Sequence, residues 1–146
     1  MGMYNEVCSK IRAFNRFYTV QMEMMNSDYL GSAYSVTEAR ILFEIKTHSG
    51  CMQSDIAKAL HIDKSYLSRI IRRFSVKGLL EKQKCDGDKR AEKITLTRLG
   101  NAEADKLIEL TNNRITSQIS GLNQGECDAL LAALDTVITI LGKEGC

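Results

Sequence analysis

Apolar residues fall three and four apart through most of this 146-residue chain, and two apart in one short stretch past its middle. Val7, Ile11, Phe14, Phe17, Tyr18 and Met22 keep the first spacing, which predicts an amphipathic helix from Tyr4 to about Met25. "SDYLGSAYS" reads as a loop. "SVTE" at 35–38 opens the next helix as a capping box, in which Ser35 and Glu38 satisfy each other's end of the first turn. Ala39, Leu42, Phe43 and Ile45 make that helix's buried side, and "HSG" at 48–50 stops it. A short helix from Met52 to Leu60, a three-residue turn and a longer helix from Lys64 to about Lys77 follow. Gly78 suits the left-handed position that ends the longer one. "LLEKQK" and "EKITLT" read as two strands of a hairpin. A long helix from Arg98 to about Ser120 comes next, and "NQGE" at 123–126 opens another with a second capping-box pattern. That last helix sets Cys127, Leu130, Leu131, Leu134, Val137, Ile138 and Leu141 on one stripe. The expected class is mainly α with a small β-hairpin.

Composition narrows the setting. The length suits one domain, and the absence of proline leaves few points where a helix is forced to stop. No apolar run approaches the ~20 residues needed to span a bilayer, and the opening residues lack the basic-then-apolar order of a signal peptide. Five cysteines, an odd number with no close pairs, suit free thiols in a reducing cytosol. A cytoplasmic protein with no membrane partner is the expectation. The net charge of +2 hides an asymmetry: residues 63–93 hold ten Lys/Arg against five Asp/Glu, leaving ten and thirteen elsewhere. Local positive charge on an acidic body is the footprint of a polyanion site, although a charge cluster is more often a solvated face.

The segment "QSDIAKALHIDKSYLSRIIRRF", Gln53 to Phe74, gives that charge a frame. Ala57 is the small residue that two steeply crossing helices need at their contact. Ile56, Leu60, Ile62, Leu67 and Ile70 have the spacing to pin both helices to one core, and Asp63 can cap the second helix. Lys64, Ser65, Tyr66, Ser68, Arg69, Arg72 and Arg73 are left facing out, so the segment reads as a helix-turn-helix with a polar, basic face suited to the major groove of double-stranded DNA. The plainer alternative is a helical hairpin in an ordinary core with a charged side facing water. His61 stands where glycine is common, so the turn is expected to differ somewhat from the usual one.

A hairpin directly after such a helix is a wing. Its tip, "CDGDKRAEKITLT" at 85–97, carries Asp86, Asp88, Lys89 and Arg90. Arg90 is placed in the minor groove, where a narrow groove concentrates negative potential. Lys89 joins it as a DNA contact. Asp88, which phosphates would repel, is expected to pair with Arg72 or Arg73 and so set the wing's angle.

The order of elements, "SDIAKAL…DKSYLSRIIRRF", the Asp-Lys-Arg wing at 88–90 and "ITLTRLG" resemble the MarR family of winged helix-turn-helix regulators over nearly the whole chain. "IRAFNRFYT", "SVTEARILFEI" and "IDKSYLSRI" look closer still to the regulator half of proteins that fuse a MarR domain to an acetyltransferase; with the chain ending at Cys146, that second half is expected to be missing. The resemblance implies a homodimer, a partly palindromic operator, often a small ligand that weakens DNA binding, and in most such families repression. It implies base reading by Ser65, Tyr66, Ser68 and Arg69, and a wing arginine at Arg90. In these terms the chain is a single MarR-type domain over 1–146, with a DNA-binding lobe at about 35–97 and dimerisation helices at about 4–25 and 98–144.

Other constellations weigh less. Val7, Ile11 and the two C-terminal helices exceed what a small winged domain needs for its own core; they either pack within the monomer or join two copies. Six of the nine aromatics lie in the first 34 residues, and Phe14, Phe17, Tyr18, Tyr29 and Tyr34 are candidates to line a pocket for a small aromatic or apolar effector, against ordinary core packing. Cys8 invites a redox-sensing alternative, with only Lys10 near it, against a bystander thiol. His48 and Cys51 form an isolated H-x-x-C, which makes a poor zinc site. No metal or cofactor is expected. Without a Gly-rich phosphate loop, a nucleophile elbow or a paired carboxylate–histidine set, neither is an enzyme. A rival of another class is a protein-interaction module that kept the winged helix without DNA binding.

Overall fold

The structure is a computed structural model that describes residues 2–85 and 87–143, with the backbone alone for 88–90. Helix α1 (Gly2–Gln21) ends four residues before the spacing suggested. No glycine or proline marks the stop; Glu23 turns the chain at φ 54°, and Met22, one residue past the helix, is buried. Helix α2 (Val36–Thr47) starts at the expected capping box. The Glu38 N–H donates to Ser35 Oγ at 3.1 Å, and the Ser35 N–H donates to Glu38 Oε1 at 2.8 Å.

Strand β1 (Cys51–Met52) escapes sequence reading, since two residues have no period to detect. It takes Met52 from the next helix, α3 (Gln53–Leu60), whose first turn is tied down by the Met52 N–H donating to Asp55 Oδ2 at 3.0 Å. Helix α4 (Lys64–Val76) is followed by Gly78 at φ 77°. Strands β2 (Leu80–Cys85) and β3 (Asp88–Leu96) form the hairpin, and β1 pairs antiparallel with β3 to give the order β1-β3-β2. β3 begins four residues before the alternation at "EKITLT" becomes visible. The charged residues 88–90 hide it, and the start of the strand is also irregular. Lys84 pairs with Glu92 but Cys85 with Asp88, so residues 89–91 have no register partner on β2. A strand interrupted in this way bends.

Helix α5 (Arg98–Ile119) and helix α6 (Gln124–Gly142) close the chain. Asn123 caps α6: its Oδ1 accepts from the Glu126 N–H at 2.8 Å, and Glu126 Oε1 accepts from the Asn123 N–H at 3.2 Å.

The chain divides into two compact units, Met1–Thr111 and Asn112–Cys146. The core of the first unit joins Ala39, Ile41, Leu42 and Ile45 of α2 to Ile56 of α3, to Leu67, Ile70, Ile71 and Phe74 of α4, and to Ile94 of β3. Removing each of the larger side chains from water stabilises by about 1.5–3 kcal/mol. Ala104 and Leu107 join this core, so the first half of α5 packs with the lobe expected to end near residue 97. The junction is tight. A Cβ on Gly100 would lie 1.9 Å from the Leu79 carbonyl oxygen, and the Gly100 N–H donates to Thr97 Oγ1 at 3.0 Å. Glycine in "LTRLG" is therefore the residue that lets α5 approach the foot of the hairpin.

α1 and α6 differ from the rest: neither has a buried residue. Met3, Tyr4, Val7, Ile11, Phe14, Phe17 and Val20 are exposed along α1. In the second unit, Leu130, Leu131, Leu134, Val137, Ile138, Ile140 and Leu141 are exposed along α6.

Candidate nucleic-acid interface

The α3–α4 pair is held by the residues the pattern assigned to it. Ile56, Leu67 and Ile70 are fully buried, Ala57 is 8% exposed at the crossing, and Leu60 and Ile62 pack against the core from its edge. His61 takes the left-handed conformation, φ 52° and ψ 45°, that glycine would have adopted. The expected departure in the turn is thus absent. The geometry is retained despite a penalty of about 1–2 kcal/mol for a side chain in that region. Asp63 caps α4, its Oδ2 accepting from the Tyr66 N–H at 3.0 Å.

Because Leu67, Ile70, Ile71 and Phe74 turn one face of α4 into the core, Lys64, Ser65, Tyr66, Ser68, Arg69, Arg72 and Arg73 are all exposed. They are not equivalent. The Arg69 guanidinium lies 5.9 Å from the Tyr66 ring centre, one helical turn away, at a distance where the ring's negative face attracts it. Arg73 is turned back: its Nη2 donates to Glu38 Oε2 at 3.0 Å. Glu38 thereby uses one oxygen to cap α2 and the other to hold the end of α4. Sequence reading paired Arg72 or Arg73 with Asp88; for Arg73 the described partner is Glu38. The side chains of Asp88, Lys89 and Arg90 lie outside the described residues, so the wing contacts expected of them do too.

One residue near this face escaped attention. Gln53, the first residue of α3, donates from Nε2 to Ser68 Oγ at 2.6 Å across to α4. Its position in "QSDIAKAL" was the available signal, since the first turn of the leading helix faces the second. Gln53 and Ser54 also border two hollows, one with Lys64, Leu67 and Ser68, the other with Lys82, Ala91 and Glu92 of the hairpin.

The five aromatics proposed for a pocket separate into two groups. Tyr29 and Tyr34 are core residues, edge-on to Phe43 and Phe74 respectively. The Tyr29 hydroxyl meets Thr111 Oγ1 at 2.6 Å, and Thr111 in turn donates to the Leu107 carbonyl, so Tyr29 is the donor of that pair. Burial, and then the nearby Glu103 and Glu38 charges, raise the Tyr34 phenol above its ordinary pKa. Phe14 stacks on Tyr18 within α1 at 5.5 Å between ring centres, and Phe17 is exposed. Cys8 is exposed on α1. His48 Nε2 lies 3.6 Å from Glu44 Oε1, and burial together with the Asp55 and Glu44 charges raises the Cys51 pKa, which disfavours the thiolate a metal needs. Among the described residues no helix is long and apolar enough to cross a membrane.

The comparisons with known proteins agree with this geometry. The MarR family model matches residues 34–91, which contain α2, α3, α4, β2 and the start of β3. The HTH-type transcriptional regulator BilQ of Clostridium symbiosum is 29% identical over 94 residues, covering 64% of this chain and 62% of the length of that regulator. Among solved structures, a cysteine-to-serine variant of MarR from E. coli complexed with operator DNA has a TM-score of 0.69 at 21% identity, covering 92% of this chain and 97% of that one. BpsR of Bordetella bronchiseptica, solved in a study of how 6-hydroxynicotinic acid regulates its DNA binding, has a TM-score of 0.68 at 22% identity, covering 88% and 98%. At such identities the structures speak for the fold alone. The match to the MarR family model covers the helix-turn-helix and the start of the wing, and over most of its length the chain shares the fold of these winged helix-turn-helix structures.

Proposed function

We propose that this protein is a sequence-specific DNA-binding transcriptional regulator, a repressor that acts as a homodimer on a partly palindromic operator. The observation that carries the reading is the division of α4: one face is wholly buried and the other presents seven exposed polar or cationic side chains. Within that face Ser65, Tyr66, Ser68 and Arg69 are the base-reading candidates, while Lys64, Arg72, Lys89 and Arg90 neutralise phosphates or enter the minor groove. Asp88 orients the wing. The complex of E. coli MarR with operator DNA supports this assignment by likeness of fold.

The dimer follows from α1 and α6. Two helices with apolar stripes and no buried residue need a second copy to cover them, and two half-sites ~34 Å apart need two recognition helices held rigidly. A small aromatic or apolar effector is assigned to the rings of α1, the exposed Phe14 and Phe17 and the half-buried Tyr18, by analogy with the ligand regulation named for BpsR.

Selection of bound duplexes from a random pool tests the reading. Two inverted half-sites should emerge, and their binding should weaken steeply as salt rises, because each neutralised phosphate releases a counterion. Failure to enrich any duplex, with salt-insensitive capture of a protein partner instead, would convert the protein into an interaction module.

A further inference from the structure

We infer that Gln53 is a positioning residue for sequence reading: it fixes the Ser68 hydroxyl so that it donates to an acceptor on a base edge. The inference rests on the DNA-binding reading and deepens it. A serine hydroxyl has one proton to give and two lone pairs, and left free it can read an acceptor or a donor equally well. Here the Gln53 amide donates to Ser68 Oγ at 2.6 Å, across from the first turn of α3 to the outward face of α4. That bond occupies a lone pair and withdraws electron density from the oxygen. The hydroxyl becomes a poorer acceptor and its proton a better donor, as in any chain of hydrogen bonds. It also holds the Ser68 rotamer, which an exposed serine would otherwise sample freely.

The groove code then limits what Ser68 can select. Guanine offers N7 and O6 as acceptors, adenine N7 and thymine O4, whereas cytosine N4 and adenine N6 are donors. Ser68 should therefore favour a guanine or thymine edge and reject cytosine. Among the described residues no other side chain of α4 is held from α3 in this way: Arg69 is associated with Tyr66 and Arg73 with Glu38. Gln53 borders both the hollow beside α4 and the hollow beside the hairpin, and so stands next to the face that Ser68 presents.

The experiment is duplex selection with the full-length protein and three variants, Ser68→Ala, Gln53→Ala and Gln53→Glu, each first matched to wild type by thermal melting. Ser68→Ala identifies the position that serine reads, as the one whose preference relaxes by about 5-fold, the size of one net hydrogen bond. Gln53→Ala should relax the same position and leave the others unchanged. Gln53→Glu is the decisive variant. Its carboxylate accepts the Ser68 proton, leaving only lone pairs outward, so the preferred base there should change from an acceptor edge to cytosine or adenine. Total affinity will fall as well, from repulsion of phosphate, but that loss is spread over all sequences. An unchanged base under Gln53→Glu, or equal loss at every position under Gln53→Ala, overturns the inference and leaves DNA binding intact. Absence of any enriched site for wild type overturns both.

Discussion

The lobe built on α2, α3, α4 and the hairpin, and the helices α1 and α6, one in each unit, are made of similar residues and reach opposite ends. In the lobe, Ile41, Leu42, Ile45, Ile56, Leu67, Ile70, Ile71 and Phe74 are fully buried, while on α1 and α6 the same kinds of residue stand exposed along the helix. Apolar spacing alone does not separate the two cases. What separates them is the number of neighbours one chain can supply. Phe74 lies in a cluster drawn from α2, α3, α4, β3 and the first half of α5, so its burial is complete within the monomer. The stripes of α1 and α6 have the composition of a core and yet stand exposed, which is the observation behind the proposed dimer.

That contrast can be broken first where burial is complete. Phe74→Ala should remove about 3–5 kcal/mol of stability, read as a lower denaturation midpoint, because a fully buried ring leaves a cavity. The loss should be the same at every protein concentration. Under the proposed dimer, Leu134→Ala on α6 should instead give a loss that grows on dilution, because binding a second copy links stability to association. Concentration-independent melting of wild type and of the α6 variant alike would argue against a dimer through α6.

Leu134→Asp or Val137→Asp sharpens the same contrast. A charge placed in a closed interface is costly without a partner. Either variant should lose dimer mass in sedimentation and lose binding to a full palindrome together, while the lobe keeps its near-native circular dichroism. A monomer that still binds the palindrome as well as wild type refutes the dimer assignment.

Smaller effects belong to the face the lobe presents. Arg69→Ala should weaken the preferred operator by ~1–3 kcal/mol and unrelated DNA much less, if the arginine reads a guanine edge. Titrations on both duplexes decide this, and equal losses would reassign Arg69 to phosphate. The smallest expected change is in the turn. His61→Gly removes left-handed strain but adds freedom to the unfolded chain, so a gain of at most ~1 kcal/mol is expected. A fall in melting temperature would mean that the imidazole contributes a contact of its own.

The residues themselves determined the elements and the polarity of their faces. The capping boxes at Ser35–Glu38 and Asn123–Glu126, the cap at Asp63 and the buried row Leu67–Ile70 were legible because each depends on neighbours within a turn or two of helix. So was the outward face of α4, which is what remains once the buried row is assigned. Tertiary structure decided whatever depends on residues far apart in the chain. It made a strand of Cys51 and Met52 by laying them against Ile94 and Lys93, it turned Arg73 toward Glu38, and it placed Gln53 against Ser68. It also drew Tyr29 and Tyr34 into the core while leaving Phe14 and Phe17 exposed on α1. Periodicity reports which side of an element is apolar. It carries no information about which distant element, or which other chain, covers that side, because that is fixed by packing and loop closure across the whole fold.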